Sequence, residues 1–225
     1  MALAPGTVVV NGGMENNGAT VRIKGNEILQ INGTLPNTDS CYVQTGSGAV
    51  LEIESGGKLV GGPTKWVSIN NGALRTTYNA NLADTVAAQK ATIDARLSIS
   101  GGTVTICFGA GVHHYGTLFV TGDVDFLAGN YHPYVDGKMN GLSDLWKSDG
   151  SFQVSRLSGA TDLWVTSSTE TPVANATWSL IKGASGYTGT FTTTFLRYNT
   201  DLPAKYFTLA VAGDPDDTLN VSTGP

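Results

Sequence analysis

The stretch AVLEIESGGKLVGG, Ala49 to Gly62, decides the fold because apolar and polar side chains alternate on both sides of a glycine corner. In a β-strand, Ile53 and Leu59 would point toward a core, while Glu52 and Glu54 would point toward water. Glycine accepts the positive φ that a sharp corner of the backbone requires. The stretch therefore predicts a strand, a corner and a short second strand.

The same unit recurs at a spacing of roughly 20 residues, as in known structural repeats. It appears again in ATVRIKGNEILQINGTL (Ala19 to Leu35), KWVSINNGALRTT (Lys65 to Thr77) and GGTVTICFG (Gly101 to Gly109). Such a unit cannot bury its own apolar face and must stack on its neighbours. We therefore predict an all-β, right-handed, single-stranded β-solenoid, or β-helix, in which each unit forms one coil. A β-sandwich of hairpins is the alternative, because Asn-Gly and Gly-Gly pairs also suit tight hairpin turns.

One segment departs from this alternation. In NLADTVAAQKATIDARL, Asn81 to Leu97, the residues Leu82, Val86 and Ile93 recur with Leu97 at helical spacing, and Asn81 is a favourable N-cap. The spacing predicts a helical insertion at 81–97 that lies across one face of the solenoid.

Composition excludes several other classes of protein. The 225 residues include 29 glycines, and only 14% are charged. A disordered chain or a coiled coil would carry more charge, and a collagen would have glycine at every third position. The formal charge of −5 gives no general attraction for nucleic acid. We therefore expect no nucleic-acid partner.

The cysteines and the N-terminus bear on compartment. Two cysteines are too few for a disulfide framework, and about two or three coils would separate Cys41 from Cys107, so we predict two free thiols. The residues MALAPGTVVV, Met1 to Val10, lack the basic and apolar regions of a signal peptide, and no apolar run approaches the roughly 18 residues of a membrane helix. We expect no export signal and no membrane span in this chain.

The C-terminal half carries a recognisable order of motifs. SDLWKSDGSFQVS (Ser143 to Ser155) begins with Ser-Asp-x-Leu, and ATWSLIKGASGYTGTF (Ala176 to Phe191) contains a W-x-L-I strand and a T-G-x-F corner. This order, over Gly116 to Ser222, resembles the C-terminal part of autotransporter-type passenger β-helices and of surface proteins with autotransporter-associated β-strand repeats. The matching residues are Ser143, Asp144, Leu145, Trp178, Leu180, Ile181 and the corner Gly189 to Phe191.

We expect solenoid coils in residues 1–115, where the helical insertion departs from the family's pattern. The resemblance implies C-terminal coils with a capping region in residues 116–225. We expect a passenger region without the family's membrane domain, and Trp146, Lys147 and Asp149 depart from its usual regular unit. A cap needs bulky side chains, because the end of a solenoid exposes an unpaired strand edge. The aromatic residues that would supply it are Trp146, Phe152, Trp164, Trp178, Tyr187, Phe191, Phe195, Tyr198, Tyr206 and Phe207.

The function that the resemblance implies is a non-catalytic structural or adhesive surface module. Its partner would be a glycan or a protein of a host or cell surface, and the solenoid edges would allow self-association. Low charge with abundant Gly, Thr, Ser and Asn also fits an extracellular or cell-surface location. Two alternatives stay open: a carbohydrate-active β-helix enzyme, and a self-assembling virion or fibre protein.

Asp123 and Asp125 are the candidate catalytic residues for the enzyme alternative. A strand would put both carboxylates on one face about 7 Å apart, and glycoside hydrolysis uses two carboxyl groups at roughly 5 to 10 Å. The structural alternative is a solvent-facing pair that flanks inward Val124 and Phe126.

Aromatic side chains are the candidate ligand-binding residues. The stretches GAGVHHYGTLF and NYHPYVDG place Tyr115, Tyr131, His132 and Tyr134 in segments of loop-like composition. Flat amphipathic rings favour sugar or protein binding. A loop folded back as a lid is the alternative.

The histidines do not predict a metal site. Adjacent residues of a strand point to opposite faces, so His113 and His114 could not both join His132 around one ion. We expect no metal and no cofactor.

Overall fold

The computed structural model is all-β and consists mostly of parallel strands. Among the described residues there is no helix, and hence no helix that could span a membrane. The described residues are 6–12, 16–17, 20–38, 43–62, 64–108, 114–155, 159–198, 200–201, 207–212 and 217–224.

The parallel strands form three hydrogen-bonded ladders, which we call A, B and C. Along the chain, successive strands belong to ladders A, B and C in that order, and the order repeats. Ladder A contains β1 (Thr7–Val10), β4 (Ile28–Ile31), β7 (Val50–Glu54), β10 (Gly72–Thr77), β12 (Arg96–Phe108), β14 (Val124–His132), β15 (Tyr134–Val135), β18 (Thr161–Ser167) and β21 (Thr193–Tyr198). Ladder B contains β2 (Asn16–Asn17), β5 (Thr34–Thr38), β8 (Lys58–Val60), β11 (Lys90–Asp94), β13 (Thr117–Val120), β16 (Leu145–Ser148) and β19 (Thr177–Gly183). Ladder C contains β3 (Val21–Ile23), β6 (Val43–Thr45), β9 (Trp66–Ile69), the first halves of β12 and β14, β17 (Phe152–Val154) and β20 (Tyr187–Thr188).

Strand pairing within the ladders is parallel and joins segments one repeat unit apart. In ladder A, Thr7 pairs with Ile28, and Ile28 pairs with Val50. The same relation holds near the C-terminus, where Asp162 pairs with Thr193. Hairpins would instead pair consecutive strands antiparallel, so the sandwich alternative is wrong for these ladders.

The repeat unit becomes longer toward the C-terminus. At the N-terminal end, the side-chain amide of Asn32 donates a hydrogen bond to the side chain of Asn11, 21 residues earlier. In a late unit, the backbone N–H of Thr161 donates to the hydroxyl of Thr192, 31 residues later. Later units therefore contain about ten more residues than the first one.

Glycine allows β12 and β14 to turn from ladder C into ladder A. Gly102 has φ 88° and Gly129 has φ 113°. A Cβ atom at Gly102 would lie 1.7 Å from the carbonyl oxygen of Gly72, and one at Gly129 would lie 2.6 Å from the carbonyl oxygen of Gly102. This corner therefore needs glycine both for backbone conformation and for space.

The core lies between the ladders and is built of inward columns of side chains. Alternate residues of each strand point inward, as in the fully alternating burial of β10. Ile53 and Leu59, the inward residues that the sequence predicts, are both buried. One column of ladder A consists of Leu29, Leu51, Leu74, Val104, Tyr131 and Leu163, which pair in this order and are all buried.

The predicted helix at 81–97 is wrong. Residues 81–89 form turns and bends, β11 begins at Lys90, and β12 begins at Arg96. Ile93 and Leu97 are four residues apart, a spacing that fits one helical turn and two strand repeats equally well. Ala91 and Ala95 are buried with them, so the period is two.

The parallel order changes at the C-terminal end. β24 (Thr218–Ser222) pairs antiparallel with β19, and β23 (Thr208–Ala212) pairs antiparallel with β24. β22 (Thr200–Asp201) likewise folds back on β21. A hairpin therefore occupies the last open position of ladder B.

Candidate functional site

Asp123 lies on the outside of ladder C, directly before β14, with both carboxylate oxygens engaged. Its Oδ1 accepts hydrogen bonds from the backbone N–H and the hydroxyl of Ser151, both at 2.9 Å. Its Oδ2 lies 3.5 Å from Nε of Arg96. The Ser151 N–H and hydroxyl, with the Arg96 charge, hold the pKa of Asp123 below its usual value. The carboxylate thus ties one repeat unit to the next.

Asp125 also lies on the outer face of ladder C, between Ser98 and Gln153. Burial and the neighbouring charge of Asp123 raise its pKa. Val124 and Phe126 on either side are fully buried, so the pair flanks two inward residues as the structural alternative predicts. Two neighbouring carboxyl groups with opposite pKa shifts nevertheless have the electrostatics of an acid and a base.

Tyr131 does not lie on a ligand-accessible surface, so its assignment to a ligand site is wrong. The stretch NYHPYVDG is not a loop, because it forms the end of β14 and β15. Tyr131 occupies the inward column between Val104 and Leu163 and is completely buried. Its hydroxyl donates a hydrogen bond to the carbonyl oxygen of Leu180 at 3.1 Å.

His132 lies on the outer face of ladder A within a row that we call the outer stack: His132, Trp164, Phe195 and Arg197. The His132 and Trp164 rings stack at 5.0 Å with an interplanar angle of 12°. From β21, the Arg197 guanidinium lies 4.1 Å from the Trp164 ring centroid, and Phe195 meets that ring edge-on at 6.0 Å. A sugar stacks on a free ring face, but the two faces of Trp164 are covered by its own neighbours.

The outer stack also contains buried polar atoms. Burial and the Arg197 charge lower the pKa of His132, which favours the neutral ring at pH 7. Nε2 of His132, Nε1 of Trp164 and Oδ1 of the neighbouring Asp162 are buried and make no hydrogen bond in the described part of the chain. The stack is therefore a packed structural surface rather than an open platform.

Tyr134 and Tyr115 are partly exposed and lie near the C-terminal end of β18. Tyr134 lies on β15 beside Thr166, and burial raises its pKa. Tyr115 precedes β13, and its hydroxyl bonds the side chain of Ser168. Burial and the charge of Asp136 raise the pKa of Tyr115 to about 12. These two tyrosines are the predicted ligand residues that could contact a partner.

His114 and Cys107 are the remaining histidine and cysteine among the described residues. His114 stacks on Tyr78 at 3.6 Å, and its Nδ1 lies 3.2 Å from Oδ1 of Asp84. His113 and Cys41 lie outside the described residues. Cys107 is free and buried. The part of the chain that the structure describes contains no cluster of three or more metal-ligating side chains.

Asp144 is the residue whose role the sequence reasoning missed. It is completely buried, and its two oxygens accept hydrogen bonds from the backbone N–H groups of Gly116 (3.1 Å) and Tyr134 (2.9 Å). In the sequence Asp144 stands out only as part of the Ser-Asp-x-Leu motif, and its two partners are 28 and 10 residues away. Burial raises its pKa well above the usual value, against the effect of the two N–H groups. No local sequence signal could reveal such partners.

Comparison with known proteins adds no family. No protein-family model matches the chain, and no curated protein matches it either.

Proposed function

We propose that this chain is a non-catalytic structural or adhesive surface module built on a right-handed β-solenoid. One observation supports the proposal most directly: successive strands of the chain belong to three parallel ladders, in an order that repeats. Each coil is joined to the next by backbone hydrogen bonds within the ladders, and inward columns give a continuous core. A parallel crossover is right-handed in about 98% of cases, which supports the hand.

The outer surface supports a structural or adhesive role over catalysis. To act on a substrate, the Asp123 carboxylate would have to break its hydrogen bonds to Ser151 and its ion pair with Arg96. In the outer stack, the faces of the Trp164 ring are already in contact with His132 and Arg197. The partly exposed rings of Tyr115 and Tyr134 are the candidate contacts for a glycan or a surface protein. The low charge of the chain supports an extracellular or cell-surface location, with a virion as the alternative.

A binding assay with matched variants tests the adhesive role. Purified protein is applied to immobilised glycans and to cell monolayers, and its retention is measured. We expect the Tyr115→Ala/Tyr134→Ala variant to lose retention and Gln153→Ala, an exposed change on ladder C, to keep it. Retention by the tyrosine double variant would overturn the assignment of these residues. Wild-type protein retained on no surface would overturn the adhesive role.

A carbohydrate-active enzyme is the second candidate, because Asp123 and Asp125 lie together with opposite pKa shifts. Release of reducing ends from a panel of polysaccharides tests it. Activity that Asp125→Asn abolishes, and that the exposed change Asp149→Asn leaves intact, would establish the enzyme. Activity that survives Asp125→Asn would rule out this pair.

A further inference from the structure

The two ends of the ladders differ in how their outermost strands are covered. At the C-terminal end, β23 and β24 complete ladder B with antiparallel pairing. At the N-terminal end, β1, β2 and β3 each pair only with the next coil among the described residues. One edge of each of these three strands thus has no strand beside it in the described part of the chain.

β1 presents an apolar edge without the usual protection. Its sequence is TVVV, which has strong β-propensity and contains no charge, proline or glycine. Val8 is 57% exposed and Val9 is 45% exposed, and the only other exposed large apolar residues among those described are Met139 and Val173. An edge strand of this composition favours pairing with another strand.

The core is open at the same end. Val8 continues the inward column of ladder A, because it pairs with Leu29, which is only 5% exposed. A cavity of about 290 Å³ opens beside it, lined by Val8, Val21, Ile23, Ile28 and Leu29 among others. The column therefore ends in accessible apolar surface that a partner strand could bury.

We propose that β1 pairs antiparallel with β1 of a second copy of this chain, so that two copies join through their N-terminal ends in a closed twofold dimer. At the opposite end the β23–β24 hairpin already extends ladder B, so two copies cover more open edge by meeting at their N-terminal ends. A twofold axis makes such an interface self-complementary and places the two β1 strands antiparallel. Arg22 and Glu27 both line the cavity, and their opposite charges let two identical ends approach without net repulsion.

The geometry of the dimer rests on the proposed solenoid. If the three ladders enclose one core, the twofold axis through β1 exchanges ladders B and C. β2 would then lie beside β3 of the second copy. All three open edges would be covered at once, and no free edge would remain to extend a fibre.

A pair of matched variants tests the dimer. Light scattering after size-exclusion chromatography should give wild-type protein twice the 23.4 kDa chain mass. Val8→Lys/Val9→Lys should give the single-chain mass, because it places charge on the edge. Met139→Lys/Val173→Lys removes exposed apolar surface elsewhere and should leave the dimer intact. Hydrogen exchange at Thr7 and Val9, whose N–H groups point away from β4, should be slow in the wild type and fast in the β1 variant.

Several outcomes would overturn the dimer. A wild-type protein that stays monomeric up to high micromolar concentration would contradict the closed twofold dimer. A wild-type protein that forms a series of larger oligomers would contradict it as well. Slow exchange of the Thr7 and Val9 amides in a monomeric wild type would mean that the same chain covers this edge. The amides of β7 and β10 should stay protected in the β1 variant. Their rapid exchange would show instead that the coil scaffold, on which the proposed function depends, is wrong.

Discussion

The early and late repeat units bury different side chains on their inward faces. In the first coils, Asn11 and Asn32 occupy matching positions 21 residues apart, and the inward columns hold leucine and isoleucine. In the late coils, Thr161 and Thr192 occupy matching positions 31 residues apart, and the core there contains Trp146. In the solenoid that we propose, a longer repeat unit would enclose a wider interior, which must still be filled to the density of a protein core.

Trp146 shows how the wider interior is filled. Phe152 meets its ring at 4.9 Å and 87°, Phe126 at 5.8 Å and 89°, and Tyr131 at 5.2 Å and 69°. Edge-to-face contacts of this kind add to the area that each ring buries. The length of a repeat unit and the volume of its inward side chains therefore change together, so the stability of the late units should depend more strongly on single residues.

Removal of the late coils should have the largest effect. A chain that ends at Gly141 lacks β16 to β24 and loses Trp146, so Phe126 and Tyr131 become exposed. We expect aggregation rather than a smaller stable protein, because an open edge and apolar core are uncovered together. Light scattering and thermal melts measure the outcome. A soluble, cooperatively melting product would show that the late coils are dispensable.

Trp178→Ala should cost about 3–5 kcal/mol of unfolding free energy. The ring is completely buried, and its Nε1 donates hydrogen bonds to the carbonyl oxygens of Asp136 (3.2 Å) and Met139 (3.0 Å). Leu51→Ala in an early coil is the matched change and should cost less. Urea denaturation gives both values, and equal costs would remove the proposed difference between early and late coils.

Gly102→Ala tests the corner at which the coils lengthen, with an expected cost of about 2–3 kcal/mol. Gly62→Ala is the control, because Gly62 has φ 77° but a Cβ atom there would meet no atom within 4 Å, so only backbone strain changes. At Gly102 the added methyl group also meets the Gly72 carbonyl oxygen. Denaturation midpoints that are lowered equally would mean that the close approach is unimportant.

Asp144→Asn should have the smallest effect, about 1–2 kcal/mol, because an amide nitrogen must face one of the two N–H donors. The raised folded pKa also predicts a pH dependence. The folded state holds the proton more tightly than the unfolded state, so stability falls as pH rises above the ordinary value of 3.8 toward the folded pKa. The variant should lose this decline, whereas exposed Asp149→Asn should keep it. Thermal melts across pH check the slope.

The inward columns were predictable from the sequence because they depend on local alternation. Ile53 and Leu59 are buried as predicted, and Trp178 is buried as the W-S-L-I alternation implies. The prediction of a helix was wrong because the spacing of Ile93 and Leu97 fits both the helical period and the strand period. Local spacing cannot decide between these two periods. Only stacking against neighbouring strands decides in favour of β-structure.

The surroundings of the candidate site residues were less predictable, because their contacts come from other repeat units. Asp123 and Asp125 were identified from spacing, but the engagement of Asp123 by Ser151 depends on a neighbour 28 residues away. Tyr131 and His132 are adjacent in sequence, yet one lies in the core and the other on the surface. Which of the two side chains points into the core depends on the register of β14 against its neighbouring strands. A segment whose composition resembles that of a loop gives no indication of that register.

The ladders also determine how the molecule would respond to mechanical force. Hydrogen bonds between coils run across the strands, so tension that draws the N-terminal coil away loads them one after another rather than all together. Each coil that detaches lengthens the chain by its own contour, which spans 21 residues from Asn11 to Asn32 and 31 residues from Thr161 to Thr192. At about 3.5 Å per residue these steps are about 70 Å and about 110 Å. The extension trace would therefore show longer steps for the late repeat units than for the early ones.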